Sequence, residues 1–316
     1  MSYYLGVDLG GTNIAAGLLD DEANIIAKDS ARTNPPRSPE AVCDDIARLC
    51  AGLLEGAGLK SADIPWIGVG SPGTIYNNRI VYANNLDFRD APLAEIVCEK
   101  TGIPTFLEND ANSAALGEWA YGAGRGKSSL VFIGLGTGVG GGIVSEGRIL
   151  GGFSGAGAEI GHIVIIPGGR RCTCGKRGCF EAYCSATALK AITKEAMERC
   201  KESLMWGLCG GESAAVSAKT CFQAQRAGDK AGAQVVEEYL YNLSLGIDII
   251  VNLLQPEVIC IGGGVSNEGD AILVPLRELA ARHSPSLLDV QRPQILASKL
   301  GTQSGLVGAA FLGKWK

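Results

Sequence analysis

The sequence predicts an α/β protein of two lobes. Three observations carry that reading. The chain has 316 residues, more than one hydrophobic core commonly serves. A unit of strand, glycine turn, strand, acidic turn and strand occurs twice along it. Helical patterns separate those units from further buried strands.

The first copy of the unit is YYLGVDLGGTNIAAGLLDDEANIIAK, residues 3–28. Three apolar runs, broken first by glycines and then by acids, read as a three-stranded antiparallel meander. The second copy is LVFIGLGTGVGGGIVSEGRILGG, residues 130–152. Laid over the first, Leu9-Gly10 falls on Leu135-Gly136 and the Asp20-Asp21 turn on Glu146-Gly147. Between the copies, Val42, Ile46, Leu49, Leu53 and Leu54 recur at helical spacing and predict a helix from about Pro39 to Ala57. WIGVGSPG (66–73) then reads as a buried strand that ends in a glycine-proline turn. In the second half, residues 186–200 and 231–255 carry helical patterns, and PEVICIGGGVS (256–266) is a strand ending in three glycines. GLVGAAFLGKW (305–315) reads as a small-residue helix. No low-complexity tract or long linker intervenes, so the expectation is two closely packed lobes with a cleft between them. The lobes are placed at 1–120, completed by the helix at about 300–316, and at 121–300.

Composition excludes several functions. The chain is 46% hydrophobic and 19% charged, with a net charge of −5, which suits a soluble globular protein. That charge, with no run of Lys and Arg, argues against a nucleic-acid partner. Asp8 interrupts the first apolar stretch, so no secretory signal is expected. The longest uncharged run, residues 128–145, holds six glycines and suits loops and buried strands better than a membrane helix. The expectation is a cytoplasmic protein with no membrane partner. Of eleven cysteines, those in helical stretches (Cys43, Cys50, Cys98, Cys200) are expected to be buried free thiols.

Three strands end in glycine turns: DLGGTN (8–13), GLGTGVGGG (134–142) and IGGGVS (261–266). Glycine lets backbone N–H groups approach an anion closely. One such turn is ordinary, but three, two of them in repeated units, point to phosphate binding. Gly136, Gly138 and Gly141 also fit the dinucleotide pattern G-x-G-x-x-G, the basis of a competing NAD-linked dehydrogenase reading. That pattern needs a helix directly after the turn, whereas GGIVSEGRIL reads as a hairpin. Asp8 has Gly134 as its counterpart in the second copy. A strand-end carboxylate beside a phosphate loop is placed to hold Mg²⁺ through water; alternatively, it caps the turn.

PTFLENDANSAALGEWAYG (104–122) delivers Glu108, Asn109 and Asp110 at the end of an apolar strand, before an alanine-rich helix. Asp110 reads either as the helix N-cap or as the base that accepts the proton of an attacking hydroxyl, as phosphoryl transfer requires. Farther on, His162, Cys172, Cys174 and Cys179 make one nitrogen and three sulfur ligands, a set that fits closed tetrahedral zinc of the structural kind. A disulfide or chance clustering is the alternative. Glu159 and Glu181 flank this cluster.

Together DLGGTN, SPG (71–73), ENDAN (108–112), GTGVGGG, GAEIGH (157–162), CTCGKRGCFE (172–181) and IGGGVS resemble the ROK family of sugar kinases and repressors, within the actin-like ATPase superfamily. The resemblance spans residues 5–266 in the family's order and is nearest to its bacterial glucokinases. It implies a two-lobed actin-like (ribonuclease H-like) fold with duplicated domains. It implies ATP-dependent phosphorylation of a hexose at the 6-hydroxyl, most simply of glucose, with N-acetylmannosamine, fructose or mannose as other hexoses. Asp110 then matches the catalytic base. Asn109, Glu159, His162 and Glu181 match sugar-binding residues, with Gly73 and Asn85 as further contacts. His162, Cys172, Cys174 and Cys179 match zinc ligands. Gly10, Gly11, Thr12, Thr137, Gly138 and the Gly262, Gly263, Gly264 turn match ATP contacts. Asn13 stands in the first turn where many members have lysine, so no charge-assisted contact to phosphate is expected there. The resemblance implies a homodimer, with a tetramer as the alternative. The family's repressors carry a DNA-binding segment ahead of the first glycine turn; here that turn begins by residue 10, and a sugar-sensing regulator is the lesser reading.

Overall fold

The structure, a computed structural model, describes residues 2–283 and 291–315. The chain opens with β1 (Tyr4–Leu9), β2 (Asn13–Leu19) and β3 (Ile25–Arg32), then α1 (Pro39–Ala57). Next come β4 (Ile67–Ser71), β5 (Thr74–Tyr76), β6 (Arg79–Ala83), β7 (Phe88–Ala91), α2 (Leu93–Thr101), β8 (Thr105–Asn109) and α3 (Asp110–Tyr121). The second half brings β9 (Ser129–Leu135), β10 (Val139–Ser145) and β11 (Arg148–Ile149), followed by α4 (Glu181–Cys184), α5 (Ala186–Arg199), α6 (Leu204–Leu208) and α7 (Thr220–Arg226). It ends with α8 (Lys230–Leu254), β12 (Val258–Gly262), α9 (Asp270–His283), β13 (Gln294–Ala297) and α10 (Ser304–Ala310).

The repeat seen in the sequence is a repeat of sheet topology. One five-stranded sheet has the order β3-β2-β1-β4-β8, the other β11-β10-β9-β12-β13. Position for position, each is a meander followed by two later strands on its first-strand side. In the first sheet the meander pairs antiparallel, and β1-β4 and β4-β8 run parallel. The glycine turns joining β1 to β2 and β9 to β10 are each three residues, 10–12 and 136–138.

Contacts divide the chain into two compact units, one of residues 1–132, 142–158 and 298–316, the other of 133–141 and 159–297. In the first, all five apolar positions read as the face of α1 are buried. Ser38 caps that helix by accepting the Ala41 N–H, Pro39 opens it, and Gly58 ends it in the left-handed region, as capping chemistry requires. The C-terminal segment read as one helix is α10 followed by a separate short turn, Leu312–Lys314. A third sheet, β5-β6-β7, was not expected from the sequence. In the second unit, α8 buries Tyr239, whose hydroxyl donates to the Cys184 carbonyl at 3.1 Å. None of the eleven cysteines is in a disulfide; Cys43 and Cys50 are buried as expected, but Cys98 and Cys200 are only half-buried. Among the described residues, no helix is long and apolar enough to cross a membrane.

Candidate active site

In the first unit, β1 and β8 end near one another around two carboxylates. Asp8 lies in β1, and Asp110 is the first residue of α3, directly after β8. The N-cap of α3 is Asn109, not Asp110. The Asn109 Oδ1 accepts the N–H groups of Ala111 at 2.9 Å and Asn112 at 3.2 Å. Its Nδ2 donates to the Gly73 carbonyl at 3.0 Å, which leaves one N–H of the amide unused among the described residues. Capping is thereby satisfied by the neighbour; the Asp110 carboxylate itself accepts only local backbone N–H groups, that of Ala111 at 2.8 Å and its own. Burial raises the proton affinity of Asp110 above that of an ordinary carboxyl, against the opposing pull of that backbone N–H. Asp8 is pushed up to about 6, first by burial and then by the negative charge of Asp110. Neither has an ion pair among the described residues. Two half-buried carboxylates that repel one another without a cation fit a divalent ion between protein and phosphate.

The first glycine turn lies in the same unit. Gly10 donates its N–H to the Asn13 carbonyl at 2.9 Å, which closes the turn, and among the described residues the N–H groups of Gly11 and Thr12 have no acceptor. Asn85 sits against this turn, 3.3 Å from where a Gly11 Cβ would be. Sequence reasoning gave Glu108 no role. Its Oε1 accepts from Asn109 N at 3.0 Å and Asn112 Nδ2 at 3.1 Å, so it fixes the residue that caps α3.

The second unit assembles the other candidates. Gly136 N–H closes its turn on the Gly138 carbonyl at 3.0 Å, and Thr137 is exposed. Gly263, φ +82°, packs so closely on the end of β9 that a Cβ would lie 2.6 Å from the Leu135 backbone. The Gly262–Gly264 turn is thereby seated beside the Gly136–Gly138 turn, and only glycine meets both demands.

His162, Cys172, Cys174 and Cys179 place their ligand atoms within 4.8 Å of one another. Cys174 Sγ lies 3.7 Å from Cys179 Sγ, and Cys172 Sγ lies 3.7 Å from His162 Nδ1. A tetrahedral zinc with Zn–S near 2.3 Å sets neighbouring ligand atoms roughly 3.6–3.8 Å apart, so this donor set fits the ion. The turns are made by Gly175 and Gly178, both at positive φ. Because Nδ1 faces the sulfurs, Nε2 of His162 remains available.

Glu159 and His162 share one short turn, with His162 N donating to the Glu159 carbonyl at 3.0 Å. The Glu159 side chain is exposed. Glu181 is tied into both neighbouring features: Oε2 accepts Val139 N at 3.0 Å, directly after the second glycine turn, and Oε1 accepts Thr173 Oγ1 at 3.0 Å, within the cysteine loop. Thr173 was not singled out in the sequence; its place between two cysteines of the cluster was the available signal. Thus the first unit holds Asp8, Gly10–Asn13, Gly73, Asn85, Asn109 and Asp110, and the second holds Thr137, Gly138, Glu159, the cysteine cluster, Glu181 and Gly262–Gly264.

Comparison with known proteins follows the same lines. The chain is 37% identical to a glucokinase of Thermotoga maritima over 98% of this chain and 96% of that protein. It is 39% identical to a glucokinase of Halalkalibacterium halodurans over 99% and 95%. Among solved structures, a ROK family glucokinase from Streptomyces griseus, in complex with glucose and AMPPNP, superposes with a TM-score of 0.81 at 35% identity, covering 98% of this chain and 99% of that one. The duplicated α/β fold expected from the resemblance is therefore the fold found. The family signature itself matches residues 4–316, and the chain belongs to the ROK family.

Proposed function

We propose that this chain transfers the γ-phosphoryl group of ATP to the 6-hydroxyl of glucose. The observation that carries the reading is the Asp110 carboxylate: half-buried, raised in proton affinity by desolvation, and relieved of capping by Asn109. A base of that kind takes the O6 proton as the bond from O6 to the γ-phosphorus forms and the bond from that phosphorus to the β-γ bridging oxygen breaks, releasing ADP. The kinship with glucokinases supports glucose as the acceptor.

The residues offered to the sugar suit a polyol. Glu159, the Nε2 of His162, the remaining lone pairs of Glu181 and the unused N–H of Asn109 supply both acceptors and donors. Each buried hydroxyl needs such a partner. Gly73 sets the Asn109 amide through its carbonyl, and Asn85 stands between sugar and first turn. The N–H groups of Gly11, Thr12, Thr137 and Gly138, with the Gly262–Gly264 turn, receive the phosphates of ATP. Asn13 brings no charge to that turn. Mg²⁺, held by Asp8 through water, would supply neutralisation of the phosphate charge. A structural zinc on His162, Cys172, Cys174 and Cys179 would fix the loop that carries Thr173 and thereby Glu181.

The test is ADP formation from Mg-ATP with glucose, mannose, fructose, N-acetylmannosamine and N-acetylglucosamine in parallel. Glucose is expected to give the highest kcat/KM. A preference for another hexose would replace glucose in this account, and no sugar-dependent ADP from folded protein would sink it. Cys174→Ser is expected to lose zinc and to raise the glucose Kd by about 10–100-fold, as for a disturbed supporting shell, although Cys174 itself touches no sugar. Calorimetry showing wild-type glucose affinity in the zinc-free variant would count against that role. The protein is proposed to act in the cytoplasm as a homodimer; light scattering should return twice the 32.8 kDa chain mass, and the single-chain mass would refute it.

A further inference from the structure

We propose that Glu118 is a positioning residue for this reaction: it locks α10 against α3 and so holds Asp8 and Asp110 in register. The proposal rests on the kinase reading above for its functional meaning.

Glu118 is fully buried, 0% exposed, and lies two turns after Asp110 on α3. It forms no ion pair among the described residues. Its charge is met instead by donors from two places. Oε2 accepts Ala123 N at 2.9 Å, just past its own helix, and Lys299 N at 3.1 Å. Oε1 accepts Ser298 Oγ at 2.5 Å and Leu300 N at 2.8 Å. Burying a carboxylate is costly unless such donors surround it. Three consecutive residues of the segment leading into α10 are therefore fastened to one side chain of the helix that begins with the base.

What α10 touches gives the clamp its consequence. Gly308 packs on the Ser113 carbonyl, and Gly117 on the Ser304 carbonyl, so α3 and α10 meet backbone to backbone. One turn earlier, Gly305 faces Asp8, with its Cβ position 3.5 Å from the Asp8 Oδ2. The same short helix thus abuts the strand residue Asp8 and the first turns of the helix that carries Asp110. A slip of α10 moves these two carboxylates relative to one another, and misplacement on the order of 1 Å can cost about 10²-fold in rate.

The experiment uses the full chain with zinc and Mg²⁺. Glu118→Gln keeps the shape but turns an amide N–H toward backbone N–H donors. Expected is a fall in kcat of about tenfold or more per folded molecule, with KM for glucose and for ATP within about threefold, because alignment affects the transition state more than ground-state binding. A kcat per folded molecule within twofold of wild type, or a loss explained by the unfolded fraction alone, overturns the proposal. Should Glu118→Gln not fold, Ser298→Ala removes one of the four donors; a kcat loss of about threefold at unchanged KM is expected, and wild-type kcat overturns it. A second readout needs no turnover. Amide exchange at residues 298–304 and 110–113 should quicken together in either variant, and unchanged protection at both refutes the clamp. Absence of sugar-dependent turnover in the wild type would instead refute the kinase reading.

Discussion

Asp110→Asn is expected to abolish most turnover while making the protein more stable. The loss in kcat should be on the order of 10³-fold, within the range for removal of a general base, with glucose still bound because the amide keeps the side chain's shape. The gain follows from the sign of the pKa shift. Burial raises the Asp110 pKa in the folded chain, so the ionised group opposes folding once pH exceeds its unfolded value, and that opposition is complete above the folded pKa. Asparagine never ionises and also removes the charge that helps push Asp8 up to about 6. The variant's Tm, measured without ligands or Mg²⁺, should exceed that of wild type at pH 8, with the difference closing toward pH 4. In the wild type, kcat/KM should fall on the acid side at a pH above the ordinary aspartate value of about 3.9. Unchanged kcat in Asp110→Asn removes Asp110 as the base. A Tm lower at pH 8 than that of wild type contradicts the burial argument.

Gly308→Ala is expected to be strongly destabilising for a single added methyl group. Its Cβ would overlap the Ser113 carbonyl oxygen and lie 2.6 Å from the Ser113 carbonyl carbon and 2.8 Å from Gly117 N. None of these is a flexible side chain that can swing away. Overpacking of this kind costs about 3 kcal/mol or more, a large share of a stability of about 5–15 kcal/mol. Gly52→Ala is the control. It lies mid-helix in α1 with nothing within 4 Å of its Cβ position, so the same change should stabilise by up to about 1 kcal/mol. Urea midpoints compare the pair; a Gly308→Ala midpoint at or above that of Gly52→Ala would contradict the packing described here.

Local chemistry explains what the sequence disclosed. The meander, the α1 boundaries and the repeat are encoded by apolar period, caps and glycine turns within a few residues of each other. The cysteine loop was legible because His162 through Cys179 lie in one short stretch. The β5-β6-β7 sheet was not, since its strands are three to five residues long and Tyr76, Val81 and Tyr82 are exposed, which breaks the alternation a strand should show. The sequence offered Asp110 as the cap, but Asn109 serves equally well by type, and its Oδ1 accepting the Ala111 and Asn112 N–H groups settles it. Glu118 read as an ordinary helical acid because three of its four partners lie about 180 residues away. Glu181 likewise hid its link to Val139, 42 residues earlier.

The central claim, transfer to the 6-hydroxyl by a chain that uses ATP, is tested most directly by following glucose and Mg-ATP with phosphorus and carbon NMR. The account predicts glucose 6-phosphate appearing in step with ADP, with no inorganic phosphate. Inorganic phosphate without a sugar ester, or an ester at another hydroxyl, would contradict it.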